Sequence, residues 1–142
     1  MDKPSAILCD LDGTLAITGQ RNIYDDMKCY ADTVNGPVLE TIKALMRHGT
    51  HKLVFMSGRQ NRCRQETVRW LKNKVGFTRL VYELFMRNTG DNRPDDVVKE
   101  PLYRTFVEPE YEVFLAFDDR DRIVKLWRRL GLTCFQVAEG SF

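Results

Sequence analysis

The stretch Ala6-Ile7-Leu8-Cys9-Asp10-Leu11-Asp12-Gly13-Thr14 sets the architecture expected for this chain. Four apolar residues form a short strand pattern, and two aspartates two positions apart follow it, before a glycine. Unpaired carboxylates beside a core are energetically costly unless a cation or strong hydrogen bonds compensate them. A site that holds Mg²⁺ and uses one carboxylate as a nucleophile would justify that cost. The stretch therefore predicts phosphoryl-transfer chemistry at the end of a buried strand.

Five short apolar runs, the first included, have the length and composition of strands. They cover residues 5–10, 52–56, 80–86, 113–118 and 132–137. Apolar residues at helical spacing fill most of the segments between them. The predicted helices cover residues 38–46, 61–74, 95–106 and 121–130. Because strands that alternate with helices are typical of a parallel sheet covered on both faces, we expect a three-layer α/β/α fold with a five-stranded parallel sheet.

Turn and cap residues indicate where these helices begin and end. His48-Gly49 predicts the end of the first helix, and Gly131 predicts the end of the last. Asp95 is expected to cap the third helix, and Pro101 is expected to kink or divide it. Residues 16–35 are too polar and irregular for a plain helix, so we expect a loop or hairpin that leans over the site.

Composition and length are those of one globular domain covering residues 1–142. No stretch approaches the roughly 20 apolar residues that a membrane helix needs. The N-terminus has no signal-peptide pattern, and the four cysteines include no Cys-x-x-Cys pair, which favours reduced thiols in the cytoplasm. The net charge is only +2, so the chain as a whole is not an obvious nucleic-acid binder.

Polar residues follow three of the predicted strands at the edge where ligands bind in parallel α/β sheets. Asp10 and Asp12 follow the first strand, Ser57-Gly58-Arg59 follows the second, and Asp118-Asp119-Arg120 follows the fourth. Since the carboxyl ends of parallel strands lie at one edge of the sheet, we expect these side chains to meet in a single site.

This set of residues fits the hydrolysis of a phosphate monoester. Asp10 can attack phosphorus and form an aspartyl-phosphate that water later breaks. Asp12 can act as general acid toward the leaving oxygen and then as general base for that water. Mg²⁺ would be held by the Asp10 carboxylate, the Asp12 main-chain carbonyl and an aspartate after the fourth strand.

Further polar residues can bind the phosphoryl group. The Ser57 hydroxyl can donate a hydrogen bond to a phosphoryl oxygen, and Lys99 can neutralise the nucleophile and the phosphate. Arg21 and Arg59 can clamp the phosphate with planar guanidinium groups. From its position in an irregular loop alone, Arg21 is more readily explained as a solvated charge. For Asp95, a role as a helix cap explains the sequence at least as well as a role in contacting substrate.

These residues carry a resemblance to a known family. Asp10-Leu11-Asp12-Gly13-Thr14, Ser57, Lys99 and Asp118-Asp119 resemble, in that order, the four signature motifs of the haloacid dehalogenase superfamily. A longer similarity covers nearly the whole chain and is to the 3′-phosphatase module of bacteriophage polynucleotide kinase/phosphatase. It is carried most clearly by residues 90–100, 117–120 and 127–140.

The resemblance implies a haloacid dehalogenase-like fold without a large cap domain. It also implies Mg²⁺-dependent removal of 3′-phosphate from RNA or DNA ends, with 2′,3′-cyclic phosphate as a further candidate substrate. On matching positions, Asp10 is the nucleophile, Asp12 the acid/base, and Asp119 touches the metal with support from Asp118. The positions implied for phosphate or substrate binding are Thr14, Arg21, Ser57, Gly58, Arg59, Asp95 and Lys99. No Gly-x-x-x-x-Gly-Lys-Ser/Thr loop is present, so we expect no ATP site and no 5′-kinase activity.

Several alternatives remain open from the sequence. The chain can instead be a small-molecule nucleotide or sugar phosphatase, or a non-catalytic module that binds nucleic-acid ends. Residues 59–74 are rich in Arg and Lys and can follow a polynucleotide backbone, although a solvated helix face is the simpler interpretation. Cys63 and Arg69 fit the Cys-x5-Arg outline of cysteine-dependent phosphatases, but helical periodicity and the absence of glycine favour a packed helix residue. Trp70 and Trp127 are predicted to lie in the core.

Overall fold

The computed structural model describes residues 2–19 and 21–142. A five-stranded parallel sheet lies at its centre, and a separate two-stranded antiparallel hairpin follows the first strand. The strands are β1 (Ser5–Cys9), β2 (Ala16–Ile17), β3 (Thr33–Val34), β4 (Lys52–Gln60), β5 (Tyr82–Arg87), β6 (Glu112–Asp118) and β7 (Cys134–Gln136). The helices are α1 (Gly36–His48), α2 (Arg64–Trp70), α3 (Asp95–Leu102) and α4 (Asp121–Arg129).

The strand order in the central sheet is β5-β4-β1-β6-β7. Alternate residues of β1 point to opposite faces, and each face packs against its own pair of helices. Ile7 and Cys9 join the core that includes residues of α1 and α2, whereas Ala6 and Leu8 join the core under α3 and α4. The predicted three-layer α/β/α fold is therefore confirmed, and β1 is buried on both sides.

The two tryptophans are the largest fully buried side chains, one in each helical layer. Trp70 belongs to the core under α1 and α2, and Trp127 belongs to the core under α3 and α4. The prediction that both lie in the core is confirmed. The four cysteines are also buried and unpaired, in agreement with reduced thiols. No helix in the described part of the chain is long and apolar enough to cross a membrane.

Two predicted helices are interrupted. The segment predicted over 61–74 consists of a 3-10 turn (Asn61–Cys63), α2 and a π-helical turn (Leu71–Val75) that ends at Gly76 with φ +91°. The helix predicted over 95–106 changes into a π-helical turn at Tyr103, two residues after Pro101. The prediction that Pro101 divides this helix is consistent with that change, since proline cannot supply its backbone N–H.

The expectation that Asp95 caps α3 is wrong. Pro94 occupies the N-cap position, Asp95 is the first helical residue, and no side chain caps the helix by hydrogen bonding. The Asp95 carboxylate instead faces the side chains of Lys99, Arg87 and Arg120. The Asp95 side chain therefore pairs with cations around the site and does not cap its own helix.

The segment between β1 and α1 forms the expected hairpin over the site. Strands β2 and β3 pair in an antiparallel manner, and a 3-10 helix (Asp26–Ala31) lies between them. The indole N–H of Trp70 donates a hydrogen bond of 2.8 Å to the main-chain carbonyl of Asp32, which ties the segment to the core. In the part of the chain that the structure describes, only this short segment separates β1 from α1, and no large cap domain is inserted there.

Candidate active site

The carboxyl ends of β1, β4 and β6 open into one cleft of about 540 Å³. Asp10 and Asp12 come from the turn after β1, Gly58 and Arg59 from the end of β4, and Asp119 from the residues after β6. The expected convergence of polar residues from three strands is therefore present. Strand β4 continues to Gln60 with an irregular register after Ser57, so Ser57 lies within the strand and not after it.

Gly13 is required by the tight turn that follows β1. Its φ of +81° lies in the left-handed region, and a side chain built on its Cα would collide with the carboxylate of Asp119. The turn is closed by main-chain hydrogen bonds, among them one of 2.8 Å from the Gly13 N–H to the Ala16 carbonyl. Glycine at this position thus allows the residues after β6 to approach the Asp-x-Asp turn.

Three buried aspartates form a cluster at the floor of the cleft. Asp10, Asp118 and Asp119 each offer a carboxylate oxygen, and these atoms lie within 4.8 Å of one another. The buried Thr14 hydroxyl lies between two of them, 3.3 Å from Asp10 Oδ2 and 3.2 Å from Asp119 Oδ1. The structure therefore brings together the side chains of the predicted metal site, with Thr14 beside the carboxylates.

Crowding changes the acidity of this cluster. Burial, followed by the charge of Asp118, raises the pKa of Asp10 to about 7, although Lys99 opposes the shift. Burial and the charge of Asp10 also raise the pKa of Asp119 to about 7. Burial is the larger cause of both shifts, and the charge of a neighbouring carboxylate adds to each of them. Because hard divalent cations prefer carboxylate oxygens, the donor set fits Mg²⁺.

Lys99 is the cation in contact with this cluster. Its Nζ lies 2.9 Å from Asp10 Oδ1, 3.4 Å from Asp118 Oδ2 and 3.7 Å from Asp95 Oδ2, and its side chain is 1% exposed. Burial alone would lower the pKa of Lys99, but the carboxylates of Asp10, Asp118 and Asp95 raise it well above its ordinary value. We refer to Asp10, Lys99, Asp118 and Asp119 as the Asp10 side of the site.

Asp12 lies in different surroundings, against two arginines. Its Oδ1 accepts hydrogen bonds from Arg59 Nε at 3.0 Å, Arg59 Nη2 at 2.6 Å and Arg21 Nη2 at 3.1 Å. No described residue donates a hydrogen bond to Oδ2. The carboxylate is thus held through one oxygen, while the side chain stays partly exposed to the cleft.

Asp32 connects the two arginines and was not predicted from the sequence. Its carboxylate, which is 1% exposed, accepts hydrogen bonds from Arg21 at 2.8 and 2.9 Å and from Arg59 at 3.1 Å. Thr67 Oγ1 accepts a further hydrogen bond of 3.0 Å from Arg59 Nη1. We refer to Asp12, Arg21, Asp32 and Arg59 as the Asp12 side of the site.

Arg21 and Arg59 are therefore not solvated charges, and their guanidinium groups are already bonded to protein carboxylates. Arg21 has a side chain that is 7% exposed, so the interpretation of Arg21 as a solvated charge is wrong. The hydrogen bond with Asp32 raises the pKa of Arg21. Burial acts in the opposite direction but does not cancel the rise. Arg59 is fully buried and bonded to Asp12, Asp32 and Thr67.

The remaining predicted substrate-binding residues lie around the floor. The Ser57 hydroxyl is buried and accepts a hydrogen bond of 3.1 Å from the Arg59 backbone N–H. Gly58 lies against the Asp95 carboxylate, which a side chain at Gly58 would displace. Asp118 Oδ1 accepts hydrogen bonds from the backbone N–H groups of the next two residues, and its Oδ2 faces Lys99.

The basic segment 59–74 does not form a continuous charged track. Arg59 is buried, Arg62 pairs with Asp26 at 3.0 Å, and Arg64 donates a hydrogen bond to the main-chain carbonyl of Leu84. Cys63 is buried and its Sγ donates to the Gln60 carbonyl, which agrees with a packed helix residue and not a phosphatase thiolate. Burial also contributes to raising the pKa of Cys63, after its hydrogen bond with Cys29.

Other cleft residues were not among the predicted site residues. They belong to the hairpin segment, the end of β5, the loop before α3 and the residues around the start of α4: Ile23, Tyr24, Asp26, Arg87, Arg93, Arg120 and Arg122. Arg120 follows the predicted fourth strand, so its position in the cleft could have been inferred from that strand end. Tyr24 offered no comparable signal, because its segment is irregular.

Comparisons with known proteins agree with this geometry. The family described as "Polynucleotide kinase PNKP phosphatase domain" matches residues 4–142. The chain belongs to this family. It is a phosphatase domain of the haloacid dehalogenase type, and its reaction class is phosphoric monoester hydrolysis.

Two relatives share more than a third of their residues with this chain over the matched region. The chain is 37% identical over 136 residues to a "Putative bifunctional polynucleotide kinase/RNA ligase" of Autographa californica nuclear polyhedrosis virus, covering 94% of this chain and 19% of that protein. A chain in the structure of the Pnkp1/Rnl/Hen1 RNA repair complex has a TM-score of 0.91 and 36% identity, with 99% of this chain and 44% of that chain covered. The chain thus spans less than half the length of these relatives.

A more distant structure shares the fold alone. The class C acid phosphatase from Bacillus anthracis with tungstate bound has a TM-score of 0.65 and 15% identity, covering all of this chain and 69% of that one. The architecture of this PNKP-type domain is therefore shared with an acid phosphatase, and its substrate must be argued from its own site.

Proposed function

We propose that this domain is a Mg²⁺-dependent phosphatase that removes 3′-phosphate from RNA or DNA ends. The observation that carries the proposal is the Asp10 carboxylate at the floor of an open cleft, beside Lys99 and two further aspartates. The names of the relatives, a polynucleotide kinase/RNA ligase and an RNA repair complex, support a polynucleotide end as the substrate. The cytoplasmic location expected from the sequence stays a prediction.

Asp10 acts as the nucleophile in this proposal. One carboxylate oxygen attacks phosphorus, a bond forms between that oxygen and phosphorus, and the bond to the leaving 3′-oxygen breaks. Lys99 holds the other oxygen, Oδ1, at 2.9 Å and thereby orients the attacking group. Water then attacks the aspartyl-phosphate, which releases inorganic phosphate and restores the Asp10 carboxylate.

Asp12 transfers the protons. It protonates the leaving oxygen in the first step and accepts a proton from the attacking water in the second. The three hydrogen bonds to Oδ1 from Arg21 and Arg59 fix the carboxylate, and Oδ2 is the oxygen left for proton transfer. Arg21 and Arg59 thus support catalysis by positioning Asp12, and direct binding of phosphate by them stays a prediction.

Mg²⁺ would be held by the carboxylates of Asp10 and Asp119 and by the main-chain carbonyl of Asp12. When bound, it reduces the repulsion between the nucleophile and the phosphate dianion. Asp118 supports the site from below, because its two oxygens are already engaged by backbone N–H groups and Lys99. Thr14 and Ser57 supply buried hydroxyl groups next to the nucleophile and to Arg59.

The proposed function can be tested with 3′- and 5′-phosphorylated RNA and DNA oligonucleotides, with and without Mg²⁺. We expect phosphate release from 3′ ends alone, dependent on Mg²⁺, and lost in Asp10→Asn by at least about 1,000-fold. Full activity of Asp10→Asn would show that the nucleophile is assigned wrongly. An oligonucleotide with a 2′,3′-cyclic end tests the further candidate substrate in the same assay.

The same assay separates the two alternatives. A small-molecule phosphatase would hydrolyse mononucleotides or sugar phosphates faster than oligonucleotides. A binding module would retain oligonucleotide affinity with no turnover at any Mg²⁺ concentration. An open cleft favours the polymer end, since the described residues between β1 and α1 form only a short hairpin and no large cap.

A further inference from the structure

Charge alone is a weak source of affinity in this cleft. Its lining contains six aspartates and five arginines. The arginines are Arg59, Arg87, Arg93, Arg120 and Arg122, and each lies within 3.8 Å of an aspartate carboxylate. Phosphates of a bound strand would compete with these carboxylates for the arginines, so a contact of another kind would add to the recognition of a polynucleotide.

Tyr24 offers such a contact. It lines the same cleft as Asp10, yet its side chain is 74% exposed. Its phenol forms no hydrogen bond with residues 2–19 or 21–142, and its ring packs against no other aromatic ring there. An exposed ring at the mouth of a catalytic cleft provides a flat apolar face of the size of a nucleobase.

The turn that carries Tyr24 is held in place from the Asp12 side. The Tyr24 backbone N–H donates a hydrogen bond of 2.9 Å to Asn22 Oδ1. Arg21, which also binds Asp12 at 3.1 Å, donates to main-chain carbonyls on both sides of Tyr24. These carbonyls belong to Asn22 (3.2 Å), Ile23 (3.5 Å) and Asp25 (3.3 Å).

This arrangement has a consequence for binding. A ring on a turn that is fixed before the substrate arrives loses little conformational freedom when a ligand stacks on it. Since Arg21 links the turn to Asp12, the backbone that carries the ring is also fixed relative to the group proposed to protonate the leaving oxygen.

We propose that Tyr24 is a stacking platform for a nucleobase within the last two nucleotides of the strand whose 3′-phosphate reaches Asp10. The inference rests on the proposed function and narrows it, because it makes the base, in addition to the phosphate, part of what is recognised. Stacking is tolerant of sequence, since every base has a π face, so the platform selects base-bearing ends over sugar phosphates.

Binding is the direct test, in an Asp10→Asn background that prevents turnover. The probe is a single-stranded 3′-phosphorylated hexanucleotide, and its partner is the same strand with abasic tetrahydrofuran units at the last two positions. We expect Tyr24→Ala to weaken binding of the first strand by about tenfold, as measured for loss of one base–aromatic stack. Binding of the abasic strand should be weak and unchanged by Tyr24→Ala.

Two further variants distinguish stacking from damage to the segment. Tyr24→Phe keeps the ring and should restore most of the affinity lost in Tyr24→Ala. Met27→Ala removes another exposed apolar side chain, 48% exposed, from the same segment but outside the cleft lining, and should bind both strands like its parent. Turnover with Asp10 intact should show the Tyr24→Ala loss mainly in KM.

The outcomes separate this inference from the proposed function. Equal affinity of Tyr24→Ala and its parent for the hexanucleotide, or an equal loss on the abasic strand, overturns the stacking platform. If the chain with Asp10 intact releases no phosphate from the hexanucleotide while the Tyr24-dependent binding is present, the 3′-phosphatase proposal fails and the platform remains.

Discussion

Asp10 and Asp12 are two residues apart in the chain, yet their carboxylates lie in contrasting electrostatic surroundings. On the Asp10 side, three carboxylates cluster beside one lysine, which contacts Asp10 and Asp118, and the pKa values of Asp10 and Asp119 are both raised to about 7. On the Asp12 side, two arginines bind two aspartates. The first side has negative charge left for a cation, whereas the second is balanced by protein side chains.

The contrast shows how a motif of three residues can serve both steps of the proposed mechanism, the attack on phosphorus and the hydrolysis of the aspartyl-phosphate. The proposed nucleophile needs a divalent cation beside it when a phosphate dianion approaches. An excess of carboxylate charge provides the binding site for that cation. A proton-transfer group must instead keep one orientation while its substrate changes, and bonded arginines provide that. The comparison therefore predicts that the two sides respond differently to mutation and to metal.

The largest expected effect is the loss of Lys99. Lys99→Met leaves Asp10, Asp118 and Asp95 without their shared buried cation, so we expect a loss of about 3–5 kcal/mol in the free energy of unfolding. Activity should fall by at least about 1,000-fold, because the nucleophile loses the group that orients it. Urea unfolding and phosphate release measure the two effects. Lys125→Met, on the exposed face of α4, is the control and should stay within about 0.5 kcal/mol.

A comparison of two glycines isolates the packing of Asp119 against the Asp-x-Asp turn. Gly13 and Gly131 both have positive φ, but only at Gly13 would an added Cβ meet the Asp119 carboxylate. Ala at either position should cost about 1–2 kcal/mol from backbone strain. Gly13→Ala should in addition lower kcat by about 100-fold through displacement of Asp119. Similar kcat values for the two variants would contradict the proposed contribution of this contact.

Asp32→Asn tests the Asp12 side. It weakens the hold on Arg21 and Arg59, so kcat should fall by about tenfold or more with little change in KM. Asp26→Asn is a matched control, since Asp26 is a buried aspartate of the same segment that pairs with Arg62 and with neither of the arginines that hold Asp12. It should lose comparable stability without a comparable loss of kcat. If Asp32→Asn and Asp12→Asn effects multiply independently, the positioning role of Asp32 is refuted.

The smallest expected effect concerns metal binding without turnover. Mg²⁺ at about ten times its Kd should raise Tm by about 5 °C, because it binds the folded state. Asp119→Asn should abolish this rise, whereas Asp32→Asn should retain it. Thermal unfolding in Mg²⁺ and in NaCl of equal ionic strength measures the difference. An equal rise in both salts would remove the basis for a metal site on the Asp10 side.

The contrast between the two sides also explains what could be predicted from the sequence. Asp10, Ser57 and the Asp118-Asp119 pair follow apolar runs, so the topology of a parallel sheet was sufficient to bring them together. Lys99 was placed only through the resemblance, since a single lysine on a helix carries no signal of its own. The sequence therefore predicts every side chain of the Asp10 side as a site residue.

The Asp12 side was predicted less completely. Asp32 lies in the irregular segment 16–35, where neither periodicity nor strand ends indicate which side chains turn inward. Its ion pairs with Arg21 and Arg59 join residues 11 and 27 positions apart, and such partners depend on tertiary packing. Asp95 was misassigned for the same reason, because Lys99, Arg87 and Arg120 compete with the local cap.

The turn at residues 22–25, which Arg21 holds in place, is a target for altering the selectivity of this domain by protein engineering. Ile23 and Tyr24 of this turn line the cleft, whereas Arg21 and Asp32, on either side of the turn in the same segment, hold the group proposed to transfer protons. Exchange of the entire β2–β3 hairpin for that of another phosphatase would thus change selectivity and chemistry together. Randomising only positions 22–25, with both flanking residues kept, offers a library in which preference for the leaving group can change while the reaction itself is preserved.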